Sequence, residues 1–121
     1  MAKGIQLLGA KVLMLGLTFK EDCPDIRNTK AVDIYHALSA YSMDVDVYEP
    51  WADSHEISEE YDINCLSDAP AHSAYDAIIV SVGHSQFIEL GAEGIKKYGK
   101  DPMVLFDVKG IFPLGSADGR L

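Results

Sequence analysis

Three observations predict an α/β three-layer sandwich, Rossmann-like, on a mainly parallel five-stranded sheet with strand order 3-2-1-4-5. Short apolar runs alternate with amphipathic stretches along the chain. The run from Val12 to Leu17 is apolar on both faces, as a strand inside a parallel sheet must be. The chain has 121 residues, 48% hydrophobic and 24% charged, which suits one domain spanning 1–121. Strands alternating with helices imply right-handed crossovers and a sheet covered on both faces. Helix periodicity by itself leaves a flavodoxin-like strand order open.

The elements follow in order. Val12 to Leu17 is the first strand, and a polar loop from Thr18 to Arg27 follows it, punctuated by Pro24. A helix is expected to begin near Asn28, a good N-cap type, with Ala31, Ile34, Tyr35, Leu38 and Tyr41 at helical spacing. Val45 to Tyr48 is a strand ended by Glu49-Pro50, because proline lacks an N–H donor. Trp51 to Tyr61 is acidic and is expected to cover the surface. A short third strand is expected near Ile63 to Leu66, and a short helix over Ala69 to Ser73. Ala77 to Val82 is uncharged and β-branched, the clearest strand, and Gly83-His84-Ser85 breaks it. Ile88 to Tyr98 reads as a helix weakened by Gly91 and Gly94. Met103 to Val108 is the last strand, and Ser116 to Leu121 reads as a cut or frayed end.

Composition narrows the function. Ten basic residues stand against 19 acidic ones, a net charge of -9. Such a domain repels phosphate backbones, so nucleic acid and anionic membranes are not expected partners. The apolar runs fall far below the roughly 20 residues of a membrane span, and no signal peptide is expected at Met1. Cys23 and Cys65 form no CxxC pair, so neither a disulfide framework nor zinc is expected, and a reducing cytoplasm is the natural location.

In a sheet of this kind ligands bind beyond the carboxyl ends of the strands, where the strand order reverses. The loop after the first strand carries Lys20, Arg27 and Lys30, and leads into a helix N-terminus that favours anions. The last strand adds Lys109 on the same edge. These cations could surround a phosphate or carboxylate, or be solvated lysines and arginine paired with Glu21, Asp22 and Asp25. There is no GxGxxG for a dinucleotide and no GxxxxGK[ST] for NTP hydrolysis. Glu49 is then read as a surface acid before a proline. Cys23, without a partner base, reads as inert. His84 reads as a capping or hydrogen-bonding residue, and Asp107 and Lys109 could pair with each other or with a ligand.

The run GLTFKEDCPDIRNTKAVDI closely resembles the opening of the C-terminal, UDP-binding domain of the UDP-glucose/GDP-mannose dehydrogenase family. Val47-Tyr48-Glu49-Pro50, Gly83-His84-Ser85-Gln86-Phe87 and Phe106-Asp107-Val108-Lys109-Gly110 match further along, and the whole is most similar to bacterial UDP-N-acetylhexosamine 6-dehydrogenases. The resemblance implies that Phe19 packs near the nucleotide, that Lys20 contacts the sugar, and that Arg27 reaches toward NAD held by an N-terminal domain. Lys109 stands where many members have an arginine near the reacting end of the sugar. A lysine keeps the charge and loses the bidentate fork.

The implied parent enzyme oxidises the sugar C6 alcohol to a carboxylate in two NAD-dependent steps through a catalytic cysteine, for surface polysaccharide synthesis. Neither the cysteine motif nor the NAD fingerprint occurs here. The chain is therefore expected to hold a UDP-sugar but no catalytic residue and no metal, to be inactive alone, and to work with the NAD-binding and central domains of a homo-oligomeric parent. Two other classes remain open on the residues alone: a receiver-like signalling domain, needing a phosphoacceptor Asp after the third strand, and a plain interaction module.

Overall fold

The computed structural model describes residues 9–27 and 29–120. Its elements are β1 (Lys11–Leu15), α1 (Ala31–Ala40), β2 (Asp44–Tyr48), α2 (Ser54–Tyr61), β3 (Tyr75–Val80), α3 (Ser85–Lys96), β4 (Gly99–Asp107) and β5 (Gly119–Arg120). They form one sheet in the order β2-β1-β3-β4-β5, with every pairing parallel. The predicted architecture is present. The expected strand at Ile63 to Leu66 shrinks to a single bridge, Val47 to Cys65, on the outer side of β2. Counting that bridge as third, the sheet runs 3-2-1-4-5, with β5 added at the far edge.

Alternation along β1 divides the core into two layers. Leu13 and Leu15 face α3 and pack with Ile78, Val80, Phe87, Ile95 and Leu105. Met14 points the other way, toward Leu17, Ile26, Val32, Val47, Ile57 and Ile63 beneath α1 and α2. Successive side chains of a strand point to opposite faces, so a run apolar at every position fills both layers.

Local structure refines or departs from expectation in five places. The proposed N-cap Asn28 lies outside the described residues. α1 begins at Ala31, whose N–H donates to the Thr29 hydroxyl at 3.2 Å. The acidic stretch from Trp51 contains α2, capped by the Asp53 side chain and anchored by one fully buried residue, Ile57. A single apolar position every two turns is too sparse a stripe to read as a helix. Ala69 to Ser73 is not helical: Pro70 is buried and Ser73 takes φ 54° at a turn. Of the end expected to be cut or frayed, Ser116 to Leu121, the part from Ser116 to Arg120 is held in place, and Leu121 lies outside the described residues. The Asp118 carboxylate accepts from the Leu105 N–H at 2.8 Å, and the Asp118 N–H donates to the Leu105 carbonyl at 2.8 Å. Gly119 then lies flat on Phe106, where any Cβ would stand 2.6 Å from the ring. α3 is broken at Gly91, with φ 69° and ψ 170°.

Burial first, and then the Glu49 charge, push the Cys65 thiol up to about 11. Alkylation of Cys65 is therefore expected to be negligible at pH 7 and to climb about tenfold per pH unit until roughly that value, because the thiolate is the nucleophile. Mass spectrometry of iodoacetamide adducts at stepped pH checks this; rapid labelling of Cys65 at pH 7 would contradict it.

Candidate functional site at the carboxyl edge of the sheet

The carboxyl ends of β1, β3 and β4 lie side by side, and the chain runs from β1 to β2 on one side before crossing back past β1 to β3 on the other, so the winding reverses at β1. A cleft of about 590 Å³ opens at that divergence. It is lined by Thr18 and Phe19 after β1, Lys30 and Asp33 at the start of α1, Val82 after β3 and Lys109 after β4. The structure thus brings Phe19 and Lys109 together and adds Lys30 at the mouth of a helix N-terminus, where the helix dipole favours anions. Phe19 keeps 52% of its surface exposed, a large apolar ring left facing water. Lys20 is exposed on the same loop but does not line the cleft.

Arg27 lies outside the cleft and is 83% exposed. Its Nε and Nη2 donate to the two oxygens of Asp25 at 3.0 and 3.1 Å, which lowers the Asp25 carboxyl below its ordinary range. That pairing is one the sequence allows. Asp107 and Lys109 do not pair. The buried Asp107 carboxylate accepts from the N–H groups of Ile111 and Phe112 at 3.1 and 3.0 Å, shaping the turn after β4.

Behind the cleft lies a polar cluster. Glu49 is not the surface acid expected before Pro50: it is 7% exposed. Its Oε1 accepts from the Leu17 N–H at 2.7 Å and its Oε2 from the N–H groups of Trp51 and Ala52 at 2.6 and 3.2 Å. Burial opposes its charge, but the His84 hydrogen bond and these backbone donors outweigh burial and hold the carboxyl below the ordinary range. His84 is fully buried, and its hydrogen-bonding role is as expected. Its Nδ1 accepts from the Asp22 N–H at 2.9 Å, so the proton sits on Nε2, which lies 2.9 Å from Glu49 Oε1 and 3.3 Å from Thr18 Oγ1. The Thr18 hydroxyl itself donates to the Lys20 carbonyl at 2.8 Å.

A glutamate, a histidine and a hydroxyl in contact resemble a hydrolytic relay, but the wiring differs. A relay needs the acid and the hydroxyl on opposite ring nitrogens. Here both meet Nε2, and Nδ1 is occupied by backbone, so the cluster holds structure and does not activate Thr18. Nor does the turn after β1 fit a dinucleotide. Leu17 is fully buried there, and Gly16 is packed against Val82. A receiver's phosphoacceptor would stand at the end of the central strand, where this chain has Ser81 and Val82, and the Ser81 hydroxyl is spent on the Leu15 and Gly16 carbonyls. Among the described residues no group of three or more His, Cys, Asp or Glu side chains could hold a metal ion, and no helix is long and apolar enough to cross a membrane.

Fold and cleft together define a Rossmann-like ligand-binding domain with a cation-lined carboxyl edge. The chain belongs to the UDP-glucose/GDP-mannose dehydrogenase family, whose UDP binding domain matches residues 13–113. It is 50% identical over 119 residues to the UDP-N-acetyl-D-glucosamine 6-dehydrogenase of Salmonella typhi, covering 98% of this chain and 28% of that protein. It is 48% identical over 117 residues to the enzyme of the same name from Pseudomonas aeruginosa, covering 97% and 28%. Among solved structures, the UDP-N-acetyl-mannosamine dehydrogenase Cap5O from S. aureus matches with TM-score 0.68 at 26% identity, covering 93% of this chain and 25% of that one. A UDP-D-ManNAc dehydrogenase from Pyrococcus horikoshii shares the fold with TM-score 0.72 at 21% identity. The chain spans about a quarter of the length of these relatives, and the resemblance read from FKEDCPDIRNTK is to the family now found.

Proposed function

We propose that the cleft between Phe19, Lys30 and Lys109 holds the nucleotide part of a UDP-sugar. The convergence of three chain segments on one aromatic ring and two lysines, in a domain of this family, carries the reading. Phe19 offers an apolar face to the base, Lys109 offers a cation to the diphosphate on the side that leads to the reacting end, and Lys20 reaches the sugar from the rim. Asp33 is an acceptor suited to hydroxyls. In this reading the domain serves a NAD-dependent 6-dehydrogenase that converts the C6 alcohol of a UDP-N-acetylhexosamine to a uronate, for surface polysaccharide, in the cytoplasm. NAD is bound mainly by sequence outside this domain, since the turn after β1 does not fit it. Arg27 would approach that cofactor by exchanging Asp25 for it. The 121-residue chain is then the substrate-binding domain of a larger homo-oligomeric enzyme and is inactive alone.

Titration calorimetry of UDP against the chain tests the site. Lys109→Ala is expected to weaken UDP binding by about tenfold, the loss of one charge-assisted contact, and Lys20→Ala to weaken it less. Wild-type affinity in both variants would reject the assigned cleft.

A further inference from the structure

We infer that His84 is a positioning residue for the nucleotide site, acting through the loop that carries Phe19 and Lys20. The inference rests on the reading of the cleft given above. The loop from Gly16 to Arg27 contributes Thr18 and Phe19 to the cleft but packs few apolar side chains of its own; Leu17 and Ile26 are its buried anchors. Between those anchors it is held by polar contacts. His84 Nδ1 takes the Asp22 N–H at 2.9 Å, and the Asp22 carboxylate takes the Ser85 N–H at 2.8 Å and the Ser85 hydroxyl. Asp22 sits at φ 54°, so its backbone is bent to make both contacts. At the other end, His84 Nε2 meets Thr18, and the Thr18 carbonyl accepts from the Thr29 hydroxyl at 3.1 Å.

One buried ring therefore grips the loop on both sides of Phe19 and Lys20. It ties them to the start of α3 and, through Glu49, to the end of β2. Ring nitrogens at fixed separation set where the loop lies over the cleft. His84 does not line the cleft, so its effect on a ligand passes through the loop.

The two nitrogens can be separated by substitution. An asparagine amide oxygen falls near the position of Nδ1 and can still accept from Asp22, but it cannot reach Glu49. A glutamine amide nitrogen falls near Nε2 and can still donate to Glu49, but leaves the Asp22 N–H without its partner. A merely structural histidine would make UDP affinity follow melting temperature. A positioning histidine inverts the order: His84→Gln melts higher than His84→Asn, yet binds UDP about fivefold to tenfold more weakly, as expected for a misplaced binding loop. Amide hydrogen exchange at Asp22 and Ser85 should rise in His84→Gln.

Calorimetry of UDP against both variants, well below their melting temperatures, decides the matter. Affinities that follow the melting order, or a His84→Gln variant that binds as wild type, would overturn the proposal. If neither variant folds, Asp22→Gly decides. It keeps the exposed position and tolerates the positive φ, removes the contact to Ser85, and is expected to bind about threefold more weakly; unchanged affinity would overturn the proposal. If Lys109→Ala weakens UDP binding and the loop variants do not, the cleft assignment stands and this inference falls. If wild type binds no UDP, both fall.

Discussion

Glu49→Ala is expected to lower the stability of the domain by about 3–5 kcal/mol, from the two to three buried donors it would strand at roughly 1–3 kcal/mol each. Three backbone N–H groups and one imidazole N–H converge on this carboxylate, and none has a second acceptor close by except the weaker contact of His84 to Thr18. Against a typical total of about 5–15 kcal/mol, that is a severe loss. Urea denaturation gives the value directly. A loss under about 1 kcal/mol would mean that water enters and satisfies the donors. Glu49→Gln keeps one oxygen acceptor and turns an amide group toward a donor, so it should fall between wild type and alanine.

The same carboxylate gives stability a pH dependence of definite sign. Its folded value lies below the ordinary 4.5, so the folded state binds the proton less readily than the unfolded chain. The contribution is complete at neutral pH and is lost as pH falls below the ordinary carboxylate range through the folded value. Asp22, lowered first by the backbone N–H of Ser85 and then by its hydroxyl, adds a loss of the same sign. Stability measured from pH 7 down to pH 3 should therefore drop more steeply in wild type than in Glu49→Gln.

How much of this could be read in the residues depends on which forces place them. The buried strands were legible because an apolar run has one way to hide on both faces, and β1 and β3 lie where Val12 to Leu17 and Ala77 to Val82 predict. The cations were legible as a group, since a parallel sheet sends the ends of β1 and β4 to one edge. Their division was not: Lys109 and Lys30 line the cleft, whereas Arg27 is turned aside by Asp25, two residues away. Glu49 was misread because an acid before proline is ordinarily solvated. Its burial depends on donors from Leu17 and His84, more than 30 residues distant in sequence, and no local pattern announces such partners. The signal that existed was an acid and a histidine at the ends of the two predicted strands that flank the first. β5 was missed for a similar reason, because Asp118 and Gly119 are turn residues whose strand role comes from Leu105 and Phe106.

Gly16→Ala is expected to cost about 2–4 kcal/mol, combining left-handed backbone strain with overpacking. Gly16 takes φ 95° immediately after β1, and a Cβ there would stand 2.6 Å from the Val82 Cβ and 3.1 Å from its backbone nitrogen. Neither atom can swing away as the tip of a long side chain could. The Gly16 N–H donates to the Tyr48 carbonyl at 3.0 Å, and its own carbonyl accepts from the Ser81 hydroxyl at 2.8 Å, so the glycine is held from both neighbouring strand ends. Relief must come from separating β1 from the segment after β3. That segment includes Ser81 and Val82, which line the cleft together with Thr18 and Phe19. The substitution should therefore weaken UDP binding as well as stability. Gly115→Ala supplies the control: φ is 86° there, and nothing lies within 4 Å of the added methyl. Its cost is the backbone strain alone, about 1–2 kcal/mol, with UDP affinity unchanged. Equal losses of stability in the two variants, measured by urea denaturation, would show that the contact with Val82 yields freely and does not hold the cleft in shape.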